Sequence, residues 1–449
     1  MRRVLVANRG EIAVRVIRAC RQLGLESVVA VSDADQDSLP AQLADRAVRI
    51  GPASAGASYL RQDVLLAAAY GTGCDAIHPG YGFLSENPVF AAACEDAGIA
   101  FVGPPARVVK AMGNKLEARA IAERHGVPVA PGSPSVGSVD DAAAIVDRIG
   151  YPVLFKAAAG GGGRGIRIVA APDQLAETFR SASAEAEASF GDGTLYVECH
   201  IRDARHIEVQ VFGDQHGAVL HLGERDCSLQ RRYQKIVEEA PAFGTPQDVL
   251  SAIRTSAVEL ARGIGYENAG TVEFIYDQER REFYFLEMNT RIQVEHPVTE
   301  EVTGLDLVET QLRVAAGEPL GIDQHQVRIE GHAIECRITA ESAADNFRPS
   351  PGLITGWRTP GGPGVRLDTH CYPGYRVPAY YDSLLAKLVT WGADRAQAIA
   401  RMRGALAEFQ VDGVQTTIPF LAELMADPDY VGGRVNTTWV ENRPGSPGV

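Results

Sequence analysis

The chain lacks any C-x-x-C pair; its seven cysteines, at positions 20, 74, 94, 199, 227, 336 and 371, are scattered and odd in number. Such spacing offers no zinc framework and fits a reducing compartment better than a disulfide scaffold. No run of about 18 apolar residues occurs, so no helix is expected to span a bilayer. Met1-Arg2-Arg3-Val4 opens too short an apolar run for a signal peptide, and the cytoplasm is the expected location. Positive charge is also scarce. Against 57 Asp and Glu stand 43 Lys and Arg, a net charge of −14. Neither nucleic acid nor an anionic membrane surface is expected as a partner, and any anionic substrate must meet a local positive cluster. Asn8-Arg9-Gly10-Glu11, which follows the first apolar strand, is not a G-x-G-x-x-G turn, so a dinucleotide reading is weak. There is no G-K-[ST] Walker ending and no evident Ser-His-Asp or Cys-His nucleophile set.

What is present is a globular composition, 45% hydrophobic and 22% charged over 449 residues, enough for two to four domains with ample cores. Val4-Leu5-Val6-Ala7, a helix from about Glu11 to Gly24 and the strand Ser27–Val31 make a β-α-β start and predict a Rossmann-like parallel sheet. The alternation continues to Ile99–Val102. His78-Pro79-Gly80-Tyr81-Gly82-Phe83 lies at a strand's C-terminal end, where open α/β sheets bind ligands, although a lone histidine there is more often structural. Pro104-Pro105 breaks the chain, one helix carries Lys110 and Lys115, and Pro128–Pro134 reads as a hinge.

Tyr151–Lys156 is a strand ending in lysine, followed at once by Ala157–Gly165 with its four consecutive glycines and then the strand Ile166–Val169. A glycine-rich turn between strands lets backbone N–H groups approach phosphate oxygens, and Lys156 adds a point charge; the plainer reading is a flexible hairpin tip. As a phosphate loop it is expected to be mobile until nucleotide orders it. His206, Glu208 and Gln210 share one face of an alternating strand. Arg225–Lys235 packs four positive charges into eleven residues, either a solvated basic loop or an anion pocket. Gly331–Ile338 alternates again, placing Glu335 and Arg337 on one face.

The stretch with most chemistry is Glu287–Glu295. As extended backbone it sets Glu287, Asn289, Arg291, Gln293 and Glu295 on one face. Thr271–Tyr276 reads as its hairpin partner, and pairing symmetric about Arg280 sets Glu273 opposite Glu287. Facing carboxylates destabilise a sheet unless something holds them together; with Asn289 they suit a hard cation, and otherwise form a solvated face. A glycine loop with lysine, acids for a metal and a Lys/Arg pocket together suit phosphoryl transfer from ATP-Mg²⁺ to a bound oxyanion.

At these residues the sequence resembles biotin carboxylase, an ATP-grasp family. The matching motifs are Ala7–Ala13, Ile77–Glu86, Lys156 with its glycine loop, Glu224–Ser228, Glu287–Thr299 and Gly331–Arg337. The resemblance covers nearly the whole chain and implies a multidomain α/β and α+β fold. Its parts would be a pre-ATP-grasp domain (1–113), a linker (114–129), a mobile glycine-rich lid (130–202), an ATP-grasp core (203–330) and a mixed α+β C-terminal domain (331–449). It implies that ATP phosphorylates bicarbonate to carboxyphosphate and that the carboxyl passes to biotin N1′. Matched position by position, Lys115, Lys156, Gly162 and Gly163 would hold phosphates; Glu198, Cys199, His200 and Ile201 would form the adenine hinge; His206 and Tyr233 would lie near ribose and phosphates. Glu273, Glu287 and Asn289 would hold Mg²⁺ or Mn²⁺, the two glutamates thereby also serving ATP. Lys235, Arg291, Gln293, the Val294 backbone and Arg337 would bind bicarbonate, Glu295 would take its proton, and Arg337 would stabilise the biotin enolate. Lys235, Arg291, Glu295 and Arg337 form the implied catalytic set.

The family's pattern is not followed everywhere. Cys199 stands where the hinge usually has lysine, Tyr233 where histidine or asparagine is expected, and Gln22 where an acid on the first helix pairs with arginine across a dimer, here beside Arg15 and Arg18. The biotin-bearing Met-Lys-Met motif is absent. The implied partners are thus a biotin carboxyl carrier protein, a carboxyltransferase component and a second copy in a homodimer, in acetyl-CoA or acyl-CoA carboxylation and fatty acid biosynthesis. Two rivals are a different ATP-grasp ligase joining carboxylate and amine, and a nucleotide-binding regulatory component without catalysis. Intact Lys235, Glu295 and Arg337 argue against the second.

Overall fold

A computed structural model describes residues 1–133, 135–158 and 166–443. The opening β-α-β signal becomes a parallel sheet of β1 (Arg3–Val6), β2 (Glu26–Ser32), β3 (Arg46–Gly51), β4 (Ala76–His78) and β5 (Ala100–Phe101), ordered β3-β2-β1-β4-β5. β1 reads as an unbroken apolar run because both its faces are covered. Val4 and Val6 pack with Ile12 and Val16 of helix α1 (Gly10–Gln22), whereas Leu5 joins Leu65 and Phe90 on the opposite side.

Strand order reverses between β1 and β4, where open α/β sheets leave a crevice. Here the crevice is filled. Asn8 Nδ2 donates to the carbonyls of Pro79 and Tyr81, both at 2.7 Å. His78 Nδ1 accepts from the Gly80 amide at 3.0 Å, a structural role. Gly80 has φ +62°, and a Cβ there would lie 2.9 Å from Asn8 Nδ2, so the stitch requires glycine. Arg9 pairs with Asp35 at 2.9 Å and stacks on the ring of Tyr381, bringing the C-terminal part of the chain onto the crevice.

Residues 114–129 are not a free linker. The single helix expected around Lys110 and Lys115 breaks at Asn114, whose side chain accepts from the Glu117 amide and caps α2 (Lys115–Arg124). Ala118, Ile121 and Ala122 of α2 then pack into the central core. A separate three-stranded antiparallel sheet follows, β6 (Val153–Ala157), β7 (Ile166–Val169) and β8 (Leu195–Cys199), with β6 in the middle.

The largest sheet has eight antiparallel strands: β9 (Ala204–Gly213), β10 (Val219–Arg231), β11 (Gln234–Ala240), β12 (Asn268–Asp277), β13 (Glu282–Asn289), β14 (His332–Thr339), β15 (Val365–Thr369) and β16 (Leu384–Gly392), ordered β13-β12-β9-β10-β11-β14-β16-β15. It crosses the boundary expected near residue 330, since β11 pairs with β14. One face of its first half packs Val209, Val211, Val272 and Phe274 against Leu250, Ile253 and Leu260 of the helix Gln247–Gly263. The other face of β9 carries His206, Glu208 and Gln210, all buried.

Two sequence expectations change here. Most of Arg225–Lys235 is strand rather than loop: β10 runs to Arg231 and β11 resumes at Gln234. Irregular register against both neighbours lets β10 bend and carry polar side chains inward along its length. Glu287–Glu295 is also not one strand. β13 ends at Asn289, the chain turns, and Glu295 becomes the N-cap of α3 (His296–Thr303).

Candidate active site

The β12–β13 hairpin supplies the first acids. Near its turn Phe274 pairs with Phe285; past a one-residue bulge at Leu286, Glu273 faces Glu287 and Thr271 faces Asn289. The pairing symmetric about Arg280 therefore holds at the acids because the bulge restores it. Asn289 Nδ2 donates to Glu273 Oε1 at 2.9 Å, so the two carboxylates and the amide form one group. Burial pushes the Glu287 carboxyl up and the neighbouring Glu273 carboxylate pushes it further; at Glu273, burial is outweighed by Lys235 and then His206, which hold it far below the usual range. His206 Nε2 lies 3.0 Å from Glu273 Oε2, and its Nδ1 is 2.9 Å from Gln230 Nε2. Lys115, at the start of α2, sits 3.7 Å from Glu287.

Lys235, the second residue of β11, joins this group to the next. Its Nζ contacts Glu208 Oε2 at 2.5 Å, Glu273 Oε1 at 3.0 Å and Glu295 Oε1 at 2.5 Å. Burial opposes its charge, but three carboxylates keep the ammonium protonated, Glu208 contributing most. Arg337 on β14 donates to Glu238 Oε1 at 2.5 Å and to Glu295 Oε2 at 2.9 Å. Glu295 thus has one oxygen on each cation. They outweigh burial and hold its carboxyl well below the usual range, and its place at a helix N-terminus acts in the same direction. Gln293 Nε2 donates to Glu273 Oε1 at 2.8 Å. Arg291 donates to Glu86 Oε2 and to Asn289 Oδ1, both at 2.8 Å. Arg291, Gln293 and Glu295 therefore converge through the turn after β13 and through partners on other strands, not through alternation along one strand.

Beneath them lies Arg225, fully buried, whose guanidinium meets Glu208 (2.6 Å), Gln210 (2.8 Å), Thr299 (3.0 Å), Thr271 (3.1 Å) and Gln293 (2.7 Å). Such a planar donor fork orders five partners at once. Removing Arg225 or Glu208 would leave the other's buried charge uncompensated, at a cost of about 3–5 kcal/mol.

In the β6–β8 sheet, Lys156 is the last residue but one of β6 and pairs with Glu198 of β8, which also takes Arg119 of α2 at 2.6 Å. The Cys199 and His200 amides are already bonded, to the carbonyls of Pro131 and Pro152. Ile201 follows directly. Cys199 is the one cysteine of the seven that is not buried. Gly162 and Gly163 lie outside the described residues. Tyr233 stands apart: it is 54% exposed and sits with Arg232 in the β10–β11 turn, both with positive φ. It touches none of the acids.

Arg119, Glu86, Glu208 and Glu238 join the cluster without having been singled out as site residues. Glu208 was visible on the His206 face; Arg119 was hidden by reading its helix as a linker. Glu86 closes the Ile77–Glu86 motif but nothing there points to a partner 205 residues away, and Glu238, whose partner lies 99 residues away, had no local signal.

The chain is similar to known proteins along nearly its whole length. "Biotin carboxylase, N-terminal domain" matches residues 1–109, "Carbamoyl-phosphate synthase L chain, ATP binding domain" residues 114–323, and "Biotin carboxylase C-terminal domain" residues 335–442. Biotin carboxylase 1 of Bacillus subtilis is 50% identical over 442 residues, 98% of both chains. The chain belongs to the biotin carboxylase family. It is an ATP-grasp ligase with biotin carboxylase activity. Other members of similar likeness carry different names. A pyruvate carboxylase chain of Methanothermobacter thermautotrophicus is 50% identical over 440 residues, 98% of this chain and 89% of that one. The biotin carboxylase domain dimer of Hydrogenobacter thermophilus 2-oxoglutarate carboxylase, solved with MgADP, ADP and bicarbonate, superposes with a TM-score of 0.94 at 46% identity, covering 98% and 97% of the two chains. Among the described residues no helix is long and apolar enough to cross a membrane.

Proposed function

We propose that the chain carboxylates biotin borne on a separate carrier protein, using ATP and bicarbonate, as the first half-reaction of an acetyl-CoA or acyl-CoA carboxylase. The observation that carries this reading is Lys235 Nζ, which touches Glu273 on the nucleotide side and Glu295 on the anion side. One ammonium then spans the point where a phosphoryl group would meet its acceptor. Lys115 and Lys156 hold phosphates with the backbone of Gly162 and Gly163, Glu198–Ile201 line the adenine, and His206 lies by the ribose and phosphates. Glu273, Glu287 and Asn289 offer hard oxygens, and the Glu287 carboxyl, pushed up first by burial and then by Glu273, fits a site that a divalent cation relieves. Mg²⁺ or Mn²⁺ there would neutralise phosphate charge.

Bicarbonate sits against Lys235, Arg291, Gln293, the Val294 backbone and Arg337. Clamped by Lys235 and Arg337, Glu295 is ionised but a poor base. When bicarbonate draws those cations to itself, Glu295 loses its clamp and its basicity rises towards what proton abstraction needs. The deprotonated oxygen attacks the γ-phosphorus and ADP leaves. The C–O bond of the resulting carboxyphosphate breaks, its carboxyl passes to biotin N1′ and phosphate leaves with the N1′ proton, while Arg337 stabilises the biotin enolate. A lid over 130–202, a core over 203–330, a homodimer, a carboxyltransferase partner and a cytoplasmic location complete the proposal. Tyr233 remains a proposed nucleotide neighbour only if its turn folds inward on binding.

The test is ATP cleavage measured with bicarbonate and free biotin varied separately. Cleavage that requires bicarbonate and rises with biotin is expected; cleavage indifferent to both sinks the reading. In the same assay Arg337→Ala should lose biotin carboxylation far more than nucleotide binding.

A further inference from the structure

Lys387 is 0% exposed in its side chain, in the middle of β16. None of the motifs that mark the site includes it. Its Nζ donates to the Val294 carbonyl at 3.0 Å, lies 3.3 Å from Glu11 Oε2 and 4.0 Å from Asp368 Oδ2. Glu11 comes from the first turn of α1, Val294 from the turn before α3, and Asp368 from β15. A single buried ammonium therefore ties three distant stretches of chain. A buried lysine is costly unless its charge is answered, so its place here calls for a reason beyond packing.

The register supplies one. Lys387 is the cross-strand partner of Arg337 on one side and of Asp368 on the other. Arg337 holds the Glu295 carboxylate while Lys387 holds the carbonyl of the preceding residue. The dipeptide Val294–Glu295 is thus gripped twice from adjacent strands, once by its side chain and once by its backbone. Glu11 is buried, and neither of its oxygens has a hydrogen-bond partner among the described residues. Burial pushes its carboxyl up to about 7 against the opposing charge of the lysine 3.3 Å away.

We propose that Lys387 is a positioning residue for the anion substrate: it fixes the peptide plane of Val294 and so the aim of the Val294–Glu295 turn at bicarbonate. This rests on the bicarbonate reading above.

The test compares Lys387→Met, Glu11→Gln and the double variant, the last removing the charge and its counter-charge together. With Lys387→Met and with the double variant, the KM for bicarbonate should rise about tenfold or more, as expected when a binding turn loses its aim, while ATP KM and the Kd for MgADP stay within about twofold. Glu11→Gln keeps the Lys387–Val294 contact and should leave bicarbonate KM within about twofold of the parent. If Lys387→Met alone does not fold, the double variant decides. A folded double variant with parental bicarbonate KM, or with ATP KM raised equally, overturns the proposal. So does a double variant that does not fold, which would make Lys387 a scaffold residue. Absence of bicarbonate-dependent cleavage in the parent protein would instead overturn the functional reading and leave the Lys387 contacts without a substrate to aim at.

Discussion

Lys235 faces three carboxylates and Cys199 is half-buried at the expected adenine hinge; each permits a sharp expectation. Lys235→Met removes the only group that touches both Glu273 and Glu295 among the described residues. Bicarbonate-dependent ATP cleavage should fall by about 10²-fold or more, the scale of losing one preorganised charge in a site, while MgADP binding by titration changes by only a few-fold. The Cys199 thiol is pushed up first by burial and then by Glu198, so it should alkylate slowly at pH 7 and faster as pH rises. Intact-mass measurement with iodoacetamide should find one modified cysteine, Cys199, because the other six are buried. Saturating MgATP should protect it. Modification at an unchanged rate with MgATP present would remove Cys199 from the nucleotide hinge.

At the scale of elements, turns decide more than propensities. Arg231 pairs with Gln234, leaving Arg232 and Tyr233 as a two-residue hairpin loop with φ of 50° and 64°. Two left-handed residues in a row favour Asn-Gly, not a guanidinium and an aromatic ring. Replacing Arg232-Tyr233 by Asn-Gly should stabilise the hairpin by about 1 kcal/mol, read as a higher melting temperature. A lower one would mean that Tyr233 makes contacts worth more than the strain. The same scale shows what was legible. The apolar runs of β1 and β2, the alternation of β9 and β14 and the Glu273–Glu287 hairpin could be read because their information is local. The bulge at Leu286 and the break at Asn114 could not. Each depends on what the neighbouring element leaves room for: the first keeps the two acids opposite, as the sequence predicts, and the second turns a supposed linker into part of the core.

Across the whole molecule, buried charge sets the response to acid. Burial alone would raise Glu239, but the hydrogen bond from His332 and the guanidinium of Arg395 bring it down to about 2 from an ordinary 4.5; Arg366 and Lys387 likewise bring Asp368 to about 2 from 3.8. These carboxyls are depressed in the folded state, so the unfolded chain takes up their protons first. The stability they contribute is present above about pH 4.5 and is lost as pH falls towards 2, each with a slope of up to about 1.4 kcal/mol per pH unit. Thermal denaturation from pH 7 to 3 should show the loss concentrated below pH 4.5, where Glu239 begins to titrate in the unfolded chain. Glu239→Gln should cost about 3–5 kcal/mol at pH 7, because Arg395 loses its carboxylate, and should give a shallower acid slope. Equal slopes in the two proteins would deny Glu239 this role. The proposed homodimer belongs to the same scale: Arg15 is spent inside the chain on Glu300 and Asp306, at 2.8 and 2.6 Å, while Arg18 and Gln22 are exposed.

The sequence by itself determined the family, the parallel N-terminal sheet and the residue types the chemistry needs, because motifs and hydrophobic periodicity are written along the chain. Only the tertiary structure decided how those residues meet. Arg291, Gln293 and Glu295 converge after their strand has ended, Glu208 and Arg225 lock beneath them, and Lys387 reaches Val294 from 93 residues away. Contacts of that kind depend on sheet order, register and bulges, which arise from the packing of the whole chain and leave no period in any one segment of it.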